Sequence, residues 1–218
     1  KADELTGRVL QPLGQLEHDG TVGMAFTTAS SGMRIATVAR HEPAGQTTLS
    51  EDVTVTALER QLAAGETVKL TKTVVWLDGQ GDVLAEASKL LHQAVAAGSD
   101  VLQAEQQAWL DRFWQRADIR LDGQPALQQA IRWNLLQLAQ ASARADGRGV
   151  SAKGVSGSGY SGHYFWDTEV YVVPFLAYNL PEAARSVLMY RHGILPAARR
   201  RAEVMSVKGA LFPWRTIS

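Results

Sequence analysis

Residues 153–174 read KGVSGSGYSGHYFWDTEVYVVP, a run dense first in glycine and then in aromatic rings. Gly157, Gly159 and Gly162 match GxGxxG, the fingerprint of a dinucleotide-binding turn, but that turn needs a strand before it and a helix opening within it. The residues ahead point the other way. Pro125 sits where a first helical turn tolerates proline, and Leu127, Ile131, Leu135 and Leu138 recur at helical spacing. A helix is therefore predicted before the glycines, and the dinucleotide reading fails. No Gly-Lys-Ser/Thr follows them and no serine has GxSxG spacing, which removes phosphate-loop and α/β-hydrolase readings. The glycines are better suited to letting a loop turn sharply and approach a ligand.

Working outward, a second helix is predicted from Pro181, with Ala184, Val187, Leu188 and Arg191 on one face before Gly193, and Pro196 opens a third. The basic run Arg199 to Arg201 is expected to face water. Upstream, Val83 to Ala97 is rich in residues that lose little side-chain freedom in a helix. Gly98 stops that helix, and Ser99 caps another running to about Gln115. Its Trp109, Phe113 and Trp114 read as core or interdomain packing. Between Thr21 and Trp76 the chain is rich in Val, Thr and Gly, and Met33 to Val38 and Val68 to Trp76 alternate as half-buried strands do. Turn signals at Asp78 to Asp82 close that region, and their short spacing favours an antiparallel sandwich over βαβ units. The fold class is thus multi-domain β plus α: residues 1–82 as part of a β-sandwich, 83–122 as a helical linker, and 123–218 as the start of a helical domain.

Composition narrows the function. The 218 residues are 45% apolar, enough for a real core. Lys plus Arg and Asp plus Glu both number 22, so no extended basic face is implied, and nucleic acid and anionic membranes are poor partners. No run approaches the roughly eighteen apolar residues of a membrane span. The absence of Cys excludes disulfides and thiolate metal sites and suits a reducing compartment, so a cytoplasmic location is expected. His18, His41, His92, His163 and His192 are scattered without HExxH spacing, so no metal site is expected. A start at Lys1 and a stop at Ser218 inside an aromatic, proline-containing run read as an interior piece of a longer protein.

His163, Tyr164, Phe165, Trp166, Asp167, Thr168 and Glu169 place rings beside carboxylates. That combination suits sugars: a ring stacks on the C–H face while a carboxylate accepts hydroxyl hydrogen bonds. A structural network serves these residues equally well, with Trp166 in a core and Asp167 capping a helix that begins near Thr168. Asp167 and Glu169 do not make an acid–base pair. Two residues apart, they do not face each other on a helix, and on a strand they would lie roughly 6 to 7 Å apart and approach from one side. Inversion at a sugar needs the two groups on opposite faces.

The run GHYFWDTEVYVVPF, the following Pro181-Glu182-Ala183-Ala184-Arg185, Tyr190-Arg191-His192 with Leu195-Pro196-Ala197-Ala198, and the closing Gly209-Ala210-Leu211-Phe212-Pro213-Trp214 together resemble glycoside hydrolase family 65. The likeness is strong from Lys153 to Ser218; before Asp146 only the succession of β region, linker helices and first barrel helix agrees. It implies an N-terminal β-sandwich, a helical linker and the first helices of an (α/α)6 barrel, the barrel being incomplete here. It also implies that Trp166 and Asp167 line the subsite gripping the nonreducing glucose, with His163, Tyr164, Phe165, Glu169, Trp214 and Arg215 as further candidates for lining the site. Arg215 stands where many relatives carry Glu or Gln; a PWRT subset is expected among kojibiose-phosphorylase-like members.

The implied activity is inverting phosphorolysis of an α-linked glucose disaccharide to β-glucose 1-phosphate and a sugar. Inorganic phosphate is the co-substrate, there is no cofactor, and the general-acid glutamate lies downstream of this chain. Hydrolysis of the same disaccharides, as in acid trehalases, and a noncatalytic carbohydrate-binding module are the alternatives. The expected partners are a disaccharide and phosphate, and the resemblance allows a homodimer of the full-length enzyme.

Overall fold

The computed structural model describes residues 8–143, 145, 147–155 and 159–216. The chain divides into two compact units, Lys1–Gln106 and Gln107–Ser218.

The first unit is a β-sheet domain. Strands β1 (Leu10–His18), β2 (Thr21–Thr28), β3 (Arg34–Glu42), β4 (Gln46–Leu49), β5 (Thr54–Ala57) and β6 (Thr71–Gly79) form two antiparallel sheets. One has the order β1-β2-β3-β6, and β4 pairs with β5 in the other. The sequence reading began the strands at Thr21 and missed β1. What builds the β1–β2 hairpin is Asp19-Gly20, whose φ angles of 48° and 70° put both turn residues in the left-handed region that two-residue hairpin loops require. Pro12 is tolerated in β1 because that strand lies at a sheet edge, next to a bulge between Pro12 and Gly14.

Helix α1 (Val83–Ala97) starts at Asp82, whose side chain accepts a hydrogen bond from the Ala85 N–H at 3.1 Å, and ends at Gly98. These are the predicted bounds, but the helix does more than link. Val83, Ala87 and Leu91, spaced four apart on one face, are buried against Ala25, Ala36 and Val38 of β2 and β3. An apolar stripe on a helix has to find a cover, and composition alone could not say that the sheet supplies it.

The second unit is helical. Helix α2 (Ser99–Ala117) extends two residues past its predicted end and carries the aromatic cluster into it. Phe113 is buried, with Trp109 stacked at 5.7 Å and Trp114 edge-on at 4.7 Å. They pack with Ala117 and with Ala139 of α3 (Pro125–Ser142), as the core reading of these aromatics expected. Helix α4 (Val173–Asn179) leads into α5 (Pro181–Gly193) and α6 (Leu195–Val204). A second core gathers Val150, Tyr164, Leu176, Val187 and Tyr190. No helix among the described residues is long and apolar enough to cross a membrane.

Asp118, just past α2, accepts two hydrogen bonds of 2.7 Å from the guanidinium of Arg132 on α3, with Arg120 3.6 Å away. The Arg132 hydrogen bonds first, then the Arg132 and Arg120 charges, hold the carboxyl below its ordinary value of 3.8. The folded state therefore binds this proton less readily than the unfolded chain. The stabilisation is present above the ordinary aspartate range and is lost as pH falls through the depressed folded value. Asp118→Asn is expected to lower the urea midpoint at neutral pH and to match the parent in strong acid. Denaturation curves at the two pH values check this.

Candidate functional site

The loop–helix segment singled out in the sequence is held near its middle by backbone pairing. Strand β7 (Tyr164–Phe165) pairs antiparallel with β8 (Arg215–Thr216), Tyr164 opposite Thr216 and Phe165 opposite Arg215. Two motifs some fifty residues apart are thereby laid side by side. The indole N–H of Trp166 donates to the Pro213 carbonyl at 2.8 Å, and the Phe165 and Trp214 rings meet edge to face at 5.0 Å.

Of the three GxGxxG glycines, Gly157 lies outside the described residues. Gly159 and Gly162 bound a short 3-10 turn, and Gly162 adopts a φ of 72°. No α-helix opens among the described residues of that run. Gly149 is needed for a close approach instead. A Cβ there would stand 2.5 Å from Cδ2 of Tyr164.

After β7 the chain does not enter an ordinary α-helix. Thr168–Val172 form a wide π-helical turn, with the Val173 N–H reaching back to the Thr168 carbonyl, a local form found often at functional sites. Asp167 precedes this turn in helical backbone geometry and makes no capping hydrogen bond, and Trp166 is half exposed. The alternative in which these two residues merely cap and pack is not what the segment does.

The turn sends neighbouring side chains to different places. Phe165, Asp167 and Trp214 line a cavity of about 720 Å³, with Lys153 and Tyr160 from the glycine loop and Asn134 from α3. Among the described residues Asp167 is the one carboxylate in that lining, and it has no hydrogen-bond or ion-pair partner there. Trp166 and Glu169 instead border a separate groove with Arg191 and Phe212. Lys153, Tyr160 and Asn134 were not singled out in the sequence. Only the density of glycines around the first two marked that loop as one that comes close to something.

The remaining candidates are placed as follows. Tyr164 does not line the cavity: it is 1% exposed and belongs to the core, because the Gly149 loop and Tyr190 close over it. Glu169 is withdrawn from the cavity as well. Arg191 binds it with Nε at 2.7 Å and Nη2 at 3.0 Å, and the Tyr164 hydroxyl donates to it. His163 holds its ring beside the Tyr160 carbonyl, Nδ1 at 2.7 Å, and its own carbonyl accepts from the Ala152 N–H, so its role here is to shape the loop. Arg215 is exposed on β8. Among the described residues no group of three His, Asp or Glu side chains could hold a metal ion.

One unpaired carboxylate between aromatic rings can accept hydroxyl hydrogen bonds while a ring covers a C–H face. It cannot supply both the acid and the base of a glycosidic cleavage. The family description "Glycosyl hydrolase family 65, N-terminal domain" matches residues 1–113, more than half of the chain, and "Glycosyl hydrolase family 65 central catalytic domain" matches residues 132–218. The chain belongs to glycosyl hydrolase family 65.

Within family 65, an alpha,alpha-trehalose phosphorylase of Thermoanaerobacter brockii is 38% identical over 173 residues, 78% of this chain and 22% of that protein. A kojibiose hydrolase of Mucilaginibacter mallensis is 32% identical over 215 residues, 97% of this chain and 30% of that protein. Among solved structures, a human-microbiome protein assigned as a kojibiose phosphorylase superposes with a TM-score of 0.87 at 28% identity, covering 95% of this chain and 29% of its own. The chain thus spans between a fifth and a third of the length of these family 65 relatives. A β-sheet domain followed by helices accords with the family fold.

Proposed function

We propose that the full-length protein is an inverting phosphorylase of an α-linked glucose disaccharide, such as kojibiose, maltose or trehalose, and that this chain supplies one wall of its sugar site. On this reading the first unit is part of a β-sandwich, and the helices from α3 onward open an (α/α)6 barrel. The observation that carries the proposal is the β7–β8 pairing, which sets Asp167, Phe165 and Trp214 around one cavity in a family 65 chain.

Asp167, unpaired, accepts hydrogen bonds from hydroxyls of the nonreducing glucose. Trp166 borders the adjacent groove and gives its N–H to Pro213, so the ring faces beside Asp167 are those of Tyr160 and Trp214. Parts of the protein other than this chain provide the acid that protonates the glycosidic oxygen. Inorganic phosphate attacks the anomeric carbon from the opposite face, and the C–O bond to the departing sugar breaks, giving β-glucose 1-phosphate. Because phosphate is itself the nucleophile, one catalytic carboxylate suffices. No cofactor takes part, and the reaction runs in the cytoplasm.

Hydrolysis is the second reading, favoured by the likeness to a kojibiose hydrolase. It would demand a further carboxylate to activate water. Full-length protein incubated with kojibiose, maltose and trehalose, with and without phosphate, separates the two. Phosphate-dependent β-glucose 1-phosphate is the expected product, whereas free glucose without phosphate would establish the hydrolase and overturn the phosphorylase.

A further inference from the structure

Arg191 is the residue where the pieces of this site meet. Its guanidinium holds Glu169 through Nε and Nη2, lies 4.4 Å from the centre of the Tyr164 ring, and lies 5.4 Å from that of Phe212. Tyr164 adds a second bond to Glu169 through its hydroxyl. The three neighbours belong to three segments: Tyr164 to β7, Glu169 to the wide turn directly after Asp167, and Phe212 to the stretch leading into Pro213 and Trp214. The side chains of Arg191 and Glu169 are only 12% and 25% exposed, so water screens the pair weakly.

We infer that the Glu169–Arg191 pair is a positioning device for the sugar site: it clamps the Trp166–Asp167 turn to the Phe212–Trp214 segment and so sets the spacing of the groups that grip the glucose. Three joins bring these segments together. The pair itself ties α5 to the turn, the Trp166 N–H ties the turn to Pro213, and β7 pairs with β8 on either side. Neither Glu169 nor Arg191 lines the cavity that holds Asp167, so both act through other residues. A forked, planar cation is required, since a lysine ammonium can neither bind both carboxylate oxygens in plane nor stack between two rings.

The inference rests on the proposed sugar site, and the experiment separates the two. Full-length parent, Arg191→Lys and Glu169→Gln are compared on the disaccharide the parent turns over, each well below its own melting midpoint. Slackening the clamp loosens ground-state and transition-state binding together, so KM should rise on the order of tenfold or more while kcat changes far less. The double variant should be no worse than the singles, as for residues acting as one unit. Variants that melt earlier but keep the parental KM would show a purely structural pair and overturn the inference alone. A parent that neither binds nor cleaves any glucose disaccharide removes the proposed function and the inference with it. Should both variants fail to fold, Tyr164→Phe, which deletes one hydroxyl, carries the test: a raised KM supports the clamp, and a parental KM overturns it.

Discussion

Asp167→Asn in the full-length protein is expected to lower kcat/KM for its disaccharide by two to three orders of magnitude while leaving the melting midpoint close to that of the parent. The carboxylate lines the cavity with no partner among the described residues, so removing its charge breaks nothing inside the protein. An exposed side chain with no contacts to lose has little influence on stability. Against a sugar the situation reverses. Hydrogen bonds to a charged acceptor are worth about 1.5–3 kcal/mol each, and two hydroxyls held by one exposed carboxylate, taken at the lower end of about 1.5–2 kcal/mol apiece, amount to about 3–4 kcal/mol, or ~10²- to 10³-fold in rate. Asparagine keeps the shape but presents a donor where one hydroxyl proton would point, so the loss should approach that of full removal. Steady-state kinetics beside a thermal melt check this. A kcat/KM essentially equal to the parent's would exclude Asp167 from the sugar grip and would leave Lys153 or Asn134 as the polar groups to test next.

How far the sequence could be read followed from how local each signal was. Helix α1 was legible to the residue because Asp82 and Gly98 punctuate it, and α3 and α5 began where Pro125 and Pro181 said they would. Strand β1 was missed although Asp19-Gly20 announced a hairpin, because Leu10–His18 alternates poorly and carries Pro12 and Gly14. A helix beginning near Thr168 was read only as one alternative; a π-helical turn starts there, and α4 follows it from Val173. The site divided in the same way. A rings-and-carboxylates composition singled out 163–169, yet could not say that Asp167 would stay unpaired while Glu169, two residues on, would be claimed by Arg191. That choice depends on α5 arriving beside the turn, and the meeting of Phe165 with Trp214 depends on β8 arriving beside β7. Both are tertiary facts without a local signature.

The core beneath the site should respond to mutation in the opposite way from Asp167. Leu176 on α4 is fully buried among Tyr164, Val187 and Tyr190, so Leu176→Ala would leave a void under the residue that donates to Glu169. Losing a buried leucine costs the transfer free energy of the missing carbons plus the price of the cavity, about 3 kcal/mol within a usual span of ~2–5. At a typical urea sensitivity that is a fall of about 1–2 M in the midpoint of the helical unit. Leu188 on α5 makes the control, because it is 48% exposed and its truncation should cost less than about 1 kcal/mol. Urea titrations of the two variants, followed by a signal from the helical unit, decide the matter. A Leu176→Ala midpoint no lower than that of Leu188→Ala would mean that α4 can collapse onto the void, and hence that the packing of Tyr164 is looser than its burial implies. In that case the Glu169–Arg191 pair, rather than the apolar core, would be what holds Tyr164 in place, and Arg191→Lys should then destabilise the unit more than the loss of a whole leucine side chain.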